Sequence, residues 1–123
     1  MSPHRPAPLL HVRQAGGLTL ATVLATHLSD ANAEALGEEL SRLLEGAARP
    51  RLRLDLGRVR SLTSIVLGKL VALHKRVRSA GGELVLLNVA GGVYEVFAVT
   101  RLDQVLDVRR SGPEDCPPLL VAS

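Results

Sequence analysis

The chain has 123 residues, a length that fits one domain able to bury its own core without disulfides or a structural metal. Aromatic residues make up only 2% of it, which argues against proteins that grip bases or sugars by ring stacking. Fifteen basic and twelve acidic residues give a net charge of +3. The basic residues form no single phosphate-contacting stripe, so nucleic-acid binding is not expected.

The sequence also predicts a cytoplasmic protein with no membrane attachment. Its opening, "MSPHRPAPLL", lacks the long apolar region of a signal peptide. Apolar runs stay well short of the roughly 20 residues that a membrane-spanning helix needs. The lone Cys116 cannot form an internal disulfide, which is typical of a reducing compartment.

The first third of the chain predicts a β-hairpin followed by a helix. Strand candidates at residues 9–13 and 18–25 are joined by Gly16–Gly17, a turn-forming pair. Beyond them the spacing of apolar residues becomes helical. These apolar positions are Ala33, Leu36, Leu40, Leu43 and Leu44. Either Ser29 or Asp30 is suited to cap the start of this helix.

The second part alternates strands with helices. "RLRLDL" (51–56) alternates basic and apolar residues, which indicates a strand with one wetter face or near a sheet edge. A helix follows from about 64–80, and the apolar "ELVLLNV" (83–89) is the best candidate for the sheet centre. A short helix (93–102) and a last strand, "QVLDV" (104–108), complete the pattern.

The order of elements predicts an α/β fold. Strands separated by single helices usually pair in parallel through right-handed crossovers, while the opening hairpin is antiparallel. We therefore expect a single domain with a mixed, mostly parallel β-sheet and helices packed on it. This domain would cover residues 1–108, and residues 109–123 would form a C-terminal tail, partly ordered.

Residue patterns for catalysis or metal binding are absent from the sequence. The four histidines lack metal-ligand spacing, and neither a nucleophile elbow nor a phosphate-binding glycine loop occurs. Asp55 and Glu83 fall at strand ends without an obvious partner, and His74 lies on the polar side of its helix, where solvation is expected. We therefore predict no enzymatic activity, no metal and no cofactor.

Three hydroxyl residues, Ser61, Thr63 and Ser64, crowd the junction between the third strand and the second helix. One interpretation is structural, because Thr63 or Ser64 can accept hydrogen bonds from free N–H groups of the first helical turn. The other is regulatory. A phosphate is electrostatically tolerated at the positive end of a helix, and it would add about −2 charge to the surface around it.

Three stretches carry a family resemblance: "TSIVLG" (63–68), "AGGELVLLNV" (80–89) and "VFAVTRLDQVLDV" (96–108). With the strand that ends at Asp55-Leu56, they resemble the STAS domain of bacterial anti-sigma factor antagonists. The similarity spans 9–108 and is tight from Leu52 onward. In that family the helix begins Asp-Ser-Ser-Gly-Leu-Gly.

The resemblance implies a domain that binds a GHKL-type serine kinase, the anti-sigma factor, and so frees a sigma factor. Phosphorylation of the Ser after the family Asp would turn binding off. By position the acceptor is Ser64, with Thr63 as the alternative and Ser61 a further substitute. The chain departs from the pattern at three positions, where Thr63 replaces Asp, Ile65 replaces Ser and Val66 replaces Gly.

The expected partner surface includes the acceptor and the loop before the first helix. Its residues are Asp30, Asn32, Thr63, Ser64 and Lys69. One alternative is a non-phosphorylated STAS scaffold or interaction subunit of a signalling assembly. Another is a small nucleotide-binding domain, and weak homo-oligomerisation is left open.

Overall fold

The computed structural model describes residues 8–110, which form an α/β fold with the main strands and helices in the predicted order. The strands are β1 (Leu10–Ala15), β2 (Leu18–Val23), β3 (His27–Leu28), β4 (Arg51–Asp55), β5 (Ser61–Leu62), β6 (Glu83–Val89) and β7 (Asp107–Arg110). The helices are α1 (Asp30–Leu44), α2 (Ser64–Ser79) and α3 (Gly91–Val99), followed by a 3₁₀ turn at Leu102–Gln104. Among these helices, none is both long and apolar enough to cross a bilayer.

The main sheet has the strand order β1-β2-β4-β6-β7. β1 pairs antiparallel with β2, and the other neighbours are parallel, which confirms the predicted mixed sheet. The crossovers all step in one direction across the sheet, so right-handed connections place the three helices on one face. The amino ends of these helices consequently lie at the carboxyl edge of the sheet.

Of the two alternatives for residues 51–56, one wetter face is confirmed, because β4 is the middle strand and not an edge strand. The prediction that β6 occupies the sheet centre is wrong, because β6 lies next to β4. Leu52 and Leu54 of β4 are buried in the core, while Arg51 and Arg53 between them point to the face without helices. A central strand with one helix-free face can therefore carry charges.

The core consists of aliphatic side chains from the helix-facing side of the sheet and from the three helices, with Phe97 fully buried among them. α2 begins with one exposed and one buried apolar residue. Ile65 is 49% exposed, whereas Val66 is completely buried. Val66 thus adds a side chain to the core.

Two short strands were not predicted, and the last strand has different bounds from those predicted. β3 and β5 pair in parallel over two residues each, which is too short to produce a detectable alternation in the sequence. The last strand begins at Asp107 rather than Gln104 and continues through Arg109 and Arg110, because a 3₁₀ turn occupies its predicted start. The predicted turn at Gly16–Gly17 is confirmed, and both glycines have positive φ (57° and 82°).

Gly82 lies where the backbone before β4 and the start of β6 come very close. A Cβ atom at this position would be 1.9 Å from the carbonyl oxygen of Pro50, an atom that also accepts the Glu83 N–H bond (2.9 Å). We expect Gly82→Ala to lower the free energy of unfolding by about 3 kcal/mol, because backbone on both sides would have to move.

Urea unfolding measures this change. Gly68→Ala is the matched control, because Gly68 lies within α2 with nothing within 4 Å of its added Cβ. This control should stabilise the protein by about 0.5–1 kcal/mol through helix propensity. Equal effects of the two substitutions would contradict the close approach at Gly82.

His74 is not the solvated residue that its place in the sequence suggested. Its ring is half-buried and its Nδ1 atom is fully buried, with no hydrogen-bond partner among the described residues. Burial, with a smaller contribution from the nearby charge of Arg78, lowers the pKa of His74 below its usual 6.5. The folded protein therefore favours the neutral imidazole.

The unfolded chain protonates His74 more readily than the folded protein does. The contribution of His74 to the free energy of unfolding should therefore be fully present above pH 6.5 and decrease as the pH falls below it. We expect His74→Gln to flatten this decline between pH 7 and pH 5, as measured by thermal unfolding across that range. A decline of unchanged slope in His74→Gln would show that other groups cause it.

Candidate functional site

The candidate site is the carboxyl edge of the sheet where α2 begins. The first backbone bond of α2 runs from the N–H of Leu67 to the carbonyl of Thr63 (3.0 Å), so earlier N–H groups lack helical acceptors. Ser64 is the first residue of α2 and is exposed. Its hydroxyl therefore sits at the positive end of the helix dipole, accessible from solvent.

Thr63 precedes this serine and bonds to the other helix instead of capping its own. It is the N-cap residue of α2, but its hydroxyl donates to the Oδ1 atom of Asp30 (2.9 Å) and makes no capping bond. Its own N–H donates to the carbonyl of Leu28 (3.1 Å). The capping interpretation is thus wrong for the side chain of Thr63, which joins α2 to the start of α1.

The start of α1 is held by a separate set of bonds. Ser29 is its N-cap, as predicted, and the side chain of Asn32 turns back to accept the N–H of Ser29 (2.8 Å). The amide of Asn32 also donates to the carbonyl of His27 (3.1 Å). The oxygen and the nitrogen of this amide therefore both form hydrogen bonds that hold the loop before Asp30.

The short pair β3–β5 brings these two helix starts together. Its backbone pairs His27 with Ser61, and the His27 Nδ1 and Ser61 Oγ atoms are 2.8 Å apart. Just before the pair, the N–H of Arg60 donates to the carbonyl of Thr26 (2.6 Å). The sequence did not predict this pair, because each of its strands has only two residues.

Lys69 lies apart from the other predicted partner residues. It is half-buried between α1 and α2, and its Cδ atom is 3.4 Å from where a Cβ of Gly37 would be. A groove of about 490 Å³ runs between these helices, lined by acidic and basic residues from α1 and its C-cap and by basic residues of α2. Its charged lining residues are Glu34, Glu38, Arg42, Glu45, Lys69 and Arg76. Of the five residues predicted for the partner surface, four lie together at the helix starts: Asp30, Asn32, Thr63 and Ser64. Lys69 instead lines the groove between α1 and α2.

Asp55 has partners that the sequence did not reveal. Its Oδ1 atom accepts the N–H of Gly57 (2.8 Å), and its Oδ2 atom accepts the side-chain amide of Asn88 (3.1 Å). Asn88 has a left-handed backbone (φ 57°), a conformation that asparagine tolerates better than most residues. The carboxylate thus ties the loop after β4 to the end of β6, which is a structural role.

We expect Asp55→Ala to lower the free energy of unfolding by about 1–2 kcal/mol, because two hydrogen bonds are lost and a backbone donor is left without its acceptor. Urea unfolding measures this loss. Glu95→Ala, a change of an exposed carboxylate on α3, should stay within about 0.5 kcal/mol of the parent. Similar losses for the two variants would rule out a special role for Asp55.

The junction of the two helix starts forms an exposed polar surface. Within residues 8–110, no three His, Cys, Asp or Glu side chains are arranged to hold a metal ion. At the junction, the exposed hydroxyl of Ser64 lies beside N–H groups that have no helical acceptor. The surface around it is formed by the starts of α1 and α2 and includes the exposed Ile65.

Comparison with known proteins agrees with the fold and with the resemblance. The family model described as "Mlab, STAS domain" matches residues 11–108. BtrV of Bordetella bronchiseptica, which carries the name of an anti-sigma factor antagonist, is 34% identical over 84 residues, covering 68% of this chain and 72% of BtrV.

Solved structures share the fold. The anti-sigma-factor antagonist (STAS) domain protein of Planctomyces limnophilus superposes with a TM-score of 0.75 at 22% identity, covering 83% of this chain and 90% of that one. SpoIIAA in its unphosphorylated form gives 0.61 at 13% identity, with 83% and 87% covered. Its phosphorylated form, from Bacillus, gives 0.61 at 15% identity, with 80% and 89% covered.

At these identities the superpositions establish the fold alone. The match to the family model covers most of the chain, and the curated relative is aligned over more than two thirds of its own length. The chain therefore belongs to the STAS-domain family of anti-sigma factor antagonists.

Proposed function

We propose that this protein binds a kinase-type anti-sigma factor and is switched by phosphorylation of Ser64. Unmodified protein would occupy the anti-sigma factor and so free a sigma factor, and the phosphorylated form would release it. The protein would act as a binding module in the cytoplasm, with the anti-sigma factor supplying the kinase activity.

The observation that carries this proposal is the placement of Ser64. It is the exposed first residue of α2, next to N–H groups that have no helical acceptor. A phosphate there would be stabilised by those groups and by the helix dipole, so the fold would tolerate it. The same phosphate would place about −2 charge on a recognition surface.

The neighbouring residues favour Ser64 over Thr63 as the acceptor. The hydroxyl of Thr63 is already bound to the carboxylate of Asp30 and the residue is half-buried, so a kinase would have to break this bond first. Ser64 is exposed and needs no such step. The proposed partner surface consists of these three residues together with Asn32 and Lys69.

Ile65 supports an additional, phosphorylation-independent mode of binding. Its side chain is 49% exposed directly beside Ser64, so a partner that covers Ser64 would also bury the apolar surface of Ile65. A scaffold or interaction subunit would use this contact without any switch. This is the second candidate function.

The experiment combines capture with modification. The immobilised protein is used to recover its GHKL-type kinase from the cells in which it occurs. The purified kinase is then incubated with the protein and ATP. We expect mass spectrometry to find phosphate on Ser64, and we expect Ser64→Ala to remain unmodified. Ser79→Ala, which removes an exposed serine at the far end of α2, is the matched control and should be modified normally.

Binding measurements complete the test. Ser64→Asp should weaken the complex at least about tenfold, equivalent to ~1.4 kcal/mol, because a charge enters the interface. Ser64→Ala should bind as the parent does. Tight binding by Ser64→Asp, with no modification of Ser64, would refute the switch and leave the scaffold function, which Ile65→Ser should then weaken.

A further inference from the structure

The contact between Asp30 and Thr63 joins the first residue of α1 to the N-cap residue of α2. The Thr63 hydroxyl donates to the Asp30 carboxylate at 2.9 Å, and both groups are near the surface. The backbone bond from Thr63 N–H to the Leu28 carbonyl (3.1 Å) fixes the threonine from the other side. Besides the bonds of Ser29 and Asn32, the first turn of α1 is thus tied to α2 by a side-chain bond that involves a charged group.

Ser64 follows Thr63 directly, so its hydroxyl lies on the order of 10 Å or less from the Asp30 carboxylate. This distance is comparable to the Debye length of about 8–10 Å at ordinary ionic strength, so the interaction between their charges is only partly screened. A phosphate on Ser64 would carry about −1.5 to −2 charge, of the same sign as Asp30.

We propose that Asp30 is the positioning residue that responds to a phosphate on Ser64: the added charge releases the Asp30–Thr63 bond and loosens the first turn of α1. The inference rests on the proposed function, in which Ser64 is the acceptor. It extends that function by naming the residue through which the modification alters a second segment of the partner surface.

Two effects act in the same direction. The phosphate repels the Asp30 carboxylate, and its oxygens are strong acceptors that compete for the hydroxyl of Thr63. Either effect leaves Asp30 without its donor. The release stays local, because the paired backbones of His27–Leu28 and Ser61–Leu62 and the amide of Asn32 remain in place. Binding would then be altered at α1 as well as at Ser64 itself.

The test installs phosphoserine at position 64 during translation and follows the phosphate by ³¹P NMR as a function of pH. Removing the negative charge with Asp30→Asn should lower the phosphate pKa by about 0.3 units relative to the parent. Glu38→Gln removes the same charge about 12 Å farther along α1 and should leave the phosphate pKa unchanged. The other charged or titratable side chains on the elements that meet here, Arg60, Lys69 and His27, are the same in all three proteins and cancel in the comparison.

The ¹H–¹⁵N spectrum of the backbone amides shows whether the Asp30–Thr63 bond is released. Phosphorylation should shift the ¹H–¹⁵N signals of residues 30–33, and Thr63→Val, which lacks the hydroxyl but keeps the carboxylate, should lose most of this response. An unchanged phosphate pKa in Asp30→Asn, or residues 30–33 unaffected by the phosphate, would overturn the proposal. Because the phosphate is installed without a kinase, the result is independent of whether the partner modifies Ser64.

Discussion

The parallel sheet imposes the constraint on which the site depends. Each helix that returns from one parallel strand to the next must begin at the carboxyl edge of the sheet, so the positive ends of α1 and α2 lie at one edge. The short β3–β5 pair then draws these ends into contact. A hydroxyl and a carboxylate 33 positions apart in the chain meet there as a result.

Much of the fold follows from periodicity alone. The hairpin, the three helices and the mostly parallel sheet are encoded by strong alternation or helical spacing over five or more residues. Strand position was harder to predict, because the arginines of β4 indicate one polar face but do not distinguish an edge strand from a central one. Two-residue strands leave no periodic signal, which is why β3 and β5 were missed.

The site was predicted in part, for reasons that differ between residues. The capping chemistry of Ser29 and the exposure of Ser64 are local properties and can be derived from neighbouring residues. The partners of Thr63 and Asp55 lie on other elements, so their bonds depend on tertiary packing. Thr63 illustrates the difference: its hydroxyl donates to Asp30, which lies 33 positions earlier in the chain, and no pattern in the neighbouring residues indicates that bond.

Ser64 and Val66 lie two residues apart, yet one faces solvent and the other is completely enclosed. Their freedom to change during evolution is therefore unequal. A change at position 64 would leave the core packing intact, whereas a change at position 66 would first have to be accommodated by the surrounding aliphatic residues. Under the proposed function, descendants of this protein could therefore gain or lose responsiveness to a kinase without passing through unstable intermediates.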